Sequence, residues 1–125
     1  MTIDQINQPY TGANNYPNIV RNLIAVGIES YTVDAATDVT VYGLAGGEKR
    51  VQFTEKVFRP PAFSFDPDDV KSAIAINQKG ESDYHQFMDH IARAGARFYE
   101  ATLNGENRRV EYFGLGASRV EAIPL

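Results

Sequence analysis

The chain has 125 residues, 43% of them hydrophobic and 22% charged, with a formal net charge of −4 and a sequence pI near 5.1. That is the usual size of one domain, with enough apolar residues for a real core. The acidic balance argues against a general nucleic-acid binder, whose phosphate contacts need a basic face. With no cysteine in the chain, disulfides, cysteine zinc sites and thiol nucleophiles are excluded.

Residues 1–15 are polar, rich in Asn and Gln and without periodicity, and read as a flexible N-terminal arm. They lack the basic start and apolar run of a signal peptide, and no window has the length of a membrane span. A cytoplasmic protein with no membrane partner is therefore expected. Pro17 suits a first helical position, and Ile19, Val20, Leu23 and Ile24 form the stripe of an amphipathic helix that Gly27 ends. Strands follow in IESYTVD, VTVYG and KRVQF, which completes a first αβββ unit over residues 16–54.

Residues 55–80 read as a linker and an extra helix. Arg59-Pro60-Pro61 suits an extended connection, because proline cannot donate to a sheet ladder. Asp66 is a helix N-cap with Pro67 at the first position and Asp68 and Asp69 in the first turn, and Gly80 ends this helix. The second αβββ unit spans residues 82–125. Ser82 is read as the cap of its helix, and Tyr84, Phe87, Met88 and Ile91 form the buried stripe up to Gly95. ARFYEAT, RVEYFG and SRVEAIP supply three strands.

The two units share an order. When Gly27 is set on Gly95, Tyr31 falls on Tyr99; further along, Gly43-Leu44 matches Gly114-Leu115 and Arg50-Val51 matches Arg119-Val120. Fixed-order similarity of this kind points to an internal duplication. The expected fold class is α+β: one domain of two αβββ copies with an extra helix between them, helices on one face of antiparallel sheet. In the second hairpin, a two-residue Asn104-Gly105 turn would set Tyr99 against Val110 and Glu100 against Arg109. A four-residue loop would instead set Glu100 against Glu111, so charge favours the tight turn, by about 0.2–1 kcal/mol per pair. Tyr99 and Tyr112 are expected on one face.

The chemistry-bearing residues cluster in Gln78–Phe87, QKGESDYHQF. A phosphate at this helix start would meet Glu81 and Asp83, which already oversatisfy a dipole of about half a charge. His85 and His90 are five apart and point about 140° away from each other on a helix, so they cannot share one metal ion. Asp89 has a ready partner in Arg93 at i+4. Ser82, Asp83 and His85 radiate from a single turn, whereas a triad needs groups converging from separate elements. No metal or other cofactor is expected, and no catalytic set is specified. Tyr31, Tyr42, Tyr84, Tyr99 and Tyr112 all sit in expected elements, either as core residues or as the lining of a groove between the copies.

Gln78, Gly80, Tyr84, Phe87, Ala94-Gly95, Tyr99, RVEYFGLG and the closing Val120-Glu121-Ala122-Ile123-Pro124 resemble the pattern of a small bacterial domain of unknown function. Its members are often labelled phage envelope protein, with relatives in prophage. The resemblance covers Gln78–Pro124; Ile123 stands for an aromatic there, and Phe113 displaces the glycine after Tyr112. It implies no catalytic mechanism. It makes Gln78, Tyr84, Tyr99 and Glu121 the polar groups to watch where the copies meet, and with Tyr112 they form the candidate ligand-binding set. The expected function is a non-catalytic module binding a small molecule or a protein. The alternative is a small enzyme with a Tyr/Glu/His site between the repeats, and a homodimer is compatible with either.

Overall fold

In the computed structural model, which describes residues 16–53 and 57–123, the chain is α+β. The expected N-terminal arm lies outside the described residues. Helix α1 (Tyr16–Ala25) buries Val20 and Leu23 completely, and Gly27 turns the chain with a φ of +93° that a side chain would resist. Strands β1 (Ile28–Asp34), β2 (Thr40–Leu44) and β3 (Lys49–Gln52) follow, with a short 3₁₀ turn at Ala45–Gly47 before β3. A linker leads to helices α2 (Pro67–Gln78) and α3 (Tyr84–Arg93), then to β4 (Phe98–Thr102), β5 (Arg109–Gly114) and β6 (Ala117–Ala122). No helix among the described residues is long and apolar enough to cross a membrane.

All six strands form one antiparallel sheet in the order β3-β2-β1-β4-β5-β6. The two units thus meet through their first strands. Across that seam Tyr31 pairs with Ala101, Thr32 with Glu100 and Val33 with Tyr99. The offset that carries Tyr31 onto Tyr99 also carries Val33 onto Ala101, so it exchanges the outer two pairs and keeps Thr32 opposite Glu100. On either side, Tyr31 pairs with Tyr42 and Tyr42 with Arg50, while Tyr99 pairs with Tyr112 and Tyr112 with Arg119. The register therefore matches Tyr42 with Tyr112, not Gly43 with Gly114, and it matches Arg50 with Arg119.

The helix-facing side of the sheet carries the core. Tyr31, Tyr42, Tyr99 and Tyr112 are all buried there, with neighbouring ring centroids 5.9 Å (Tyr42–Tyr31), 6.4 Å (Tyr31–Tyr99) and 5.4 Å (Tyr99–Tyr112) apart. Phe87 of α3 meets Tyr112 edge-on, and Met88 and Ile91 are fully buried beside it. Such ring contacts contribute about 0.5–1.5 kcal/mol each beyond the area they bury.

Two local expectations are corrected. The second hairpin pairs Tyr99 with Tyr112 and Glu100 with Glu111, which is the looser register. It still keeps both tyrosines on one face, because a shift of two residues preserves the pleat. Ring packing decides the choice: this register brings Tyr99 onto Tyr112 and stacks Phe98 on Phe113, centroids 4.6 Å apart. Two aromatic pairs outweigh one like-charge pair on an open face, where Ser118 Oγ also donates to Glu111 at 2.9 Å. The cap of α3 is Asp83, not Ser82: Asp83 accepts from the Gln86 amide at 2.8 Å while Gln86 Oε1 accepts from the Asp83 amide at 2.9 Å. A capping box needs Glu or Gln three residues on, and Ser82 would find His85 there. Ser82 instead accepts from Asn77 Nδ2 at its carbonyl and hydroxyl oxygens.

The linker is fastened along the end of α3. Ala62 N donates to Ala92 O and Asp66 N to Ala94 O, at 2.9 and 2.7 Å. A side chain at Gly95 would overlap the Ser64 carbonyl, and one at Gly114 would overlap the Phe65 ring. Both glycines therefore exist to let this segment lie against helix and sheet.

Relief of the central repulsion gives a direct check. Glu100→Lys places opposite charges across β4 and β5 and raises unfolding stability by about 0.2–1 kcal/mol in chemical denaturation. A loss of stability would contradict the Glu100–Glu111 register.

Candidate functional site

A charged cluster sits where the linker crosses the β1–β2 turn and the start of α3. The turn is built by Asp34, whose Oδ1 accepts from the amides of Ala36 (2.9 Å) and Thr37 (3.0 Å) and from the Thr37 hydroxyl (3.1 Å). This places Asp38 in the left-handed region, φ +63°, a conformation Asp tolerates better than most residues. Its carboxylate is 2% exposed. Arg59, 7% exposed, meets it: Nη1 donates to Asp38 Oδ1 at 2.6 Å and Nε to Asp89 Oδ1 at 2.7 Å. Nη1 also reaches Ala35 O at 3.4 Å, and the Arg59 amide donates to Ala36 O at 2.8 Å.

Two α3 side chains complete the cluster. Arg59 Nη2 lies 3.1 Å from His85 Nδ1, and a guanidinium only donates, so Nδ1 accepts and the ring proton sits on Nε2. Tyr84 is half exposed at its ring, but its hydroxyl turns inward and donates to Asp38 Oδ1 at 3.4 Å. Burial of that hydroxyl and the Asp38 charge push the phenol well above its ordinary value near 10, against a smaller opposing pull from Arg59. Burial opposes the charge on Arg59, yet its hydrogen bonds to Asp38 and Asp89 and their negative charges outweigh it and hold the guanidinium ionised. The arrangement keeps a proton on Tyr84 and a charge on Arg59. It locks three chain segments together, and breaking such a buried pair costs about 3–5 kcal/mol.

The expected Asp89–Arg93 pair is not formed, because Asp89 turns to Arg59. A buried guanidinium draws the carboxylate more strongly than an exposed i+4 neighbour, whose pairing is worth about 0.2–0.5 kcal/mol. His90 Nε2 lies 2.9 Å from Asp69 Oδ1 and ties α3 to α2. Among the described residues no group of three His, Cys, Asp or Glu side chains could hold a metal ion.

The five candidate residues are distributed as follows. Tyr99 and Tyr112 touch each other in the core, and Glu121 sits beside them on the same face, held by Arg119 Nη2 at 2.6 Å. Tyr84 belongs to the Arg59 cluster. Gln78 is exposed at the last position of α2. The sequence reading missed Arg59 and Asp38. The available signal was a lone arginine in the apolar and proline-rich stretch VFRPPAFSF, a setting in which burial requires a carboxylate from elsewhere in the fold.

Beside the cluster lies a shallow cleft of about 250 Å³, lined by Phe58, Arg59, Pro60, Asp89, Ala92 and Arg93. Phe58, Pro60 and Ala92 are its apolar lining. Asp89 on its wall is already paired, whereas the exposed Arg93 side chain makes no hydrogen bond or ion pair among the described residues. Phe58 and Phe63 project from the linker with 75% and 76% exposure, and Phe53, directly after β3, is 74% exposed.

A family model described as a protein of unknown function (DUF1398) matches residues 4–120, so the chain belongs to that family. No curated protein matches the chain.

The Tyr84 hydroxyl gives the cluster an alkaline signature. Above pH 10 the unfolded phenol ionises while the folded one stays protonated, so this group's contribution to stability is constant below pH 10 and falls as pH rises beyond it. Tyr84→Phe should remove that part of the alkaline loss. In an ultraviolet titration, the wild-type minus variant difference should be a phenol ionising well above 10; a difference centred at 10 would contradict the inward hydroxyl.

Proposed function

We propose that this protein is a non-catalytic protein-interaction module whose contact surface is the linker between its two αβββ units. The observation that carries this reading is the exposure of Phe58 and Phe63, each about three-quarters open. Burying one such ring is worth about 1.5–3 kcal/mol. Phe58 and Phe63 stay exposed on a segment that Arg59, Ala62 and Asp66 fix in place. Exposed rings on a fixed support offer apolar area to a partner.

The cleft favours a protein partner over a small molecule. Its volume of about 250 Å³ lies below the range of about 300–1,000 Å³ typical of enclosed ligand pockets. It suits one side chain presented by another protein. The Arg59 cluster supports the linker in this reading, and the tyrosine row supports the sheet behind it. The mirrored strand order, with Arg50 and Arg119 at matching positions, supports reading the two units as copies of one ancestor and the linker as the insertion that carries the binding role.

Site-specific photo-crosslinking tests the module. A benzoyl-phenylalanine at position 58 should give a discrete protein adduct in cells, whether to another copy of this chain or to a different protein. The same probe at the exposed Glu48 should not. Absence of an adduct at position 58, or equal adducts at both positions, would overturn the reading.

A further inference from the structure

The linker and the cleft beside it carry complementary features on one chain, and we propose that the partner is a second copy of this protein, joined by reciprocal insertion of Phe63 into the cleft of its mate. This rests on the linker being an interaction surface. It adds which surface the linker meets.

The receptor half is the cleft. Phe58, Pro60 and Ala92 give it an apolar lining, and the Arg93 side chain leaves an exposed cation with no hydrogen bond or ion pair among the described residues. The carboxylate on its wall, Asp89, is committed to Arg59, so Arg93 is the charge the cleft offers to whatever enters it.

The inserting half is the stretch Phe63–Asp68, FSFDPD. Phe63 is the most exposed aromatic residue described, at 76%. Asp66 and Asp68 follow it and are exposed, and neither forms an ion pair among the described residues. Asp66 Oδ1 receives only the amides of Asp68 and Asp69. A ring followed by two carboxylates matches an apolar cleft edged by an arginine. Asp68 is the better partner for Arg93, because capping occupies Asp66.

Symmetry makes the match productive. The Ala62 amide donates to Ala92 O, which fixes Phe63 close to the cleft on the same part of the surface. A two-fold axis between ring and cleft then seats each Phe63 in the opposite cleft and forms each Arg93–Asp68 contact twice, as an isologous interface requires. Within one chain Phe63 stays 76% exposed and does not fill its own cleft.

Sedimentation equilibrium of the full chain, with circular dichroism to confirm folding, tests the proposal. The wild type should show a monomer–dimer equilibrium. Phe63→Asp and Arg93→Glu should each weaken dimerisation by about tenfold or more, equivalent to about 1.4 kcal/mol. Asp68→Lys should weaken it as well, and the double variant Arg93→Glu/Asp68→Lys should recover it. A monomer at all accessible concentrations, or a dimer indifferent to these changes, overturns self-association. The failures separate cleanly. A monomeric chain whose position-58 probe captures a different protein removes the dimer and leaves the interaction module, whereas a monomer with no adduct removes both.

Discussion

The pairing of Arg59 with Asp38 and Asp89 is the constraint on which the surface of this protein depends. Both ends of the Arg59–Asp38 pair are almost fully buried, at 7% and 2% exposure. Neither partner can be left alone there without a large penalty. The pair joins three places distant in sequence: the β1–β2 turn, the linker and the first turns of α3. Because the guanidinium is planar and forked, it sets the direction of the linker as well as its position. Phe58 on one side and Pro60 on the other inherit that direction, and so does the cleft they line.

Behind this clasp the six-stranded sheet is the support. The buried rings of Tyr42, Tyr31, Tyr99 and Tyr112 run across the seam between the two units and pack under the helices. An arginine ends each half of the pattern, Arg50 opposite Tyr42 and Arg119 opposite Tyr112. Aromatic burial of this extent gives the sheet its register, and it does so against the charge preference at Glu100 and Glu111. The linker has no counterpart in the other half. Its Phe58 and Phe63 are more open, at 75% and 76% exposure, than Tyr84 on α3 at 46% or Phe98 on β4 at 38%, which is why the proposed contact surface is placed there.

Much of the architecture was legible in the sequence, for identifiable reasons. Gly27 and Gly95 mark helix ends because positive φ is cheap only for glycine, and both adopt it at +93° and +92°. Asp66-Pro67 marks a helix start because its side chain and ring satisfy the first turn. Strand faces follow from alternation. What failed were choices between near-equal local options. The Asn104-Gly105 turn and the Glu100–Arg109 pair pointed to one register, and two non-local ring contacts selected another. Ser82 and Asp83 were both competent caps, and Gln86 decided between them. The Arg59 cluster was least visible, because Asp38, Arg59 and Asp89 lie far apart in the chain and only the folded topology brings them together. Gln78, singled out by family resemblance, is exposed at a helix end.

The dependence of the proposed contact surface on Arg59 is most directly measured by hydrogen exchange on Arg59→Lys. Lysine keeps the charge but cannot span Asp38, Asp89 and His85 as the guanidinium does. The amides at positions 59 and 62, which donate to Ala36 O and Ala92 O, should lose protection while the amides of β1 and β4 keep theirs. Unchanged protection at 59 and 62 would show that the linker is held without Arg59, and would contradict the clasp as the element that presents Phe58 and Phe63.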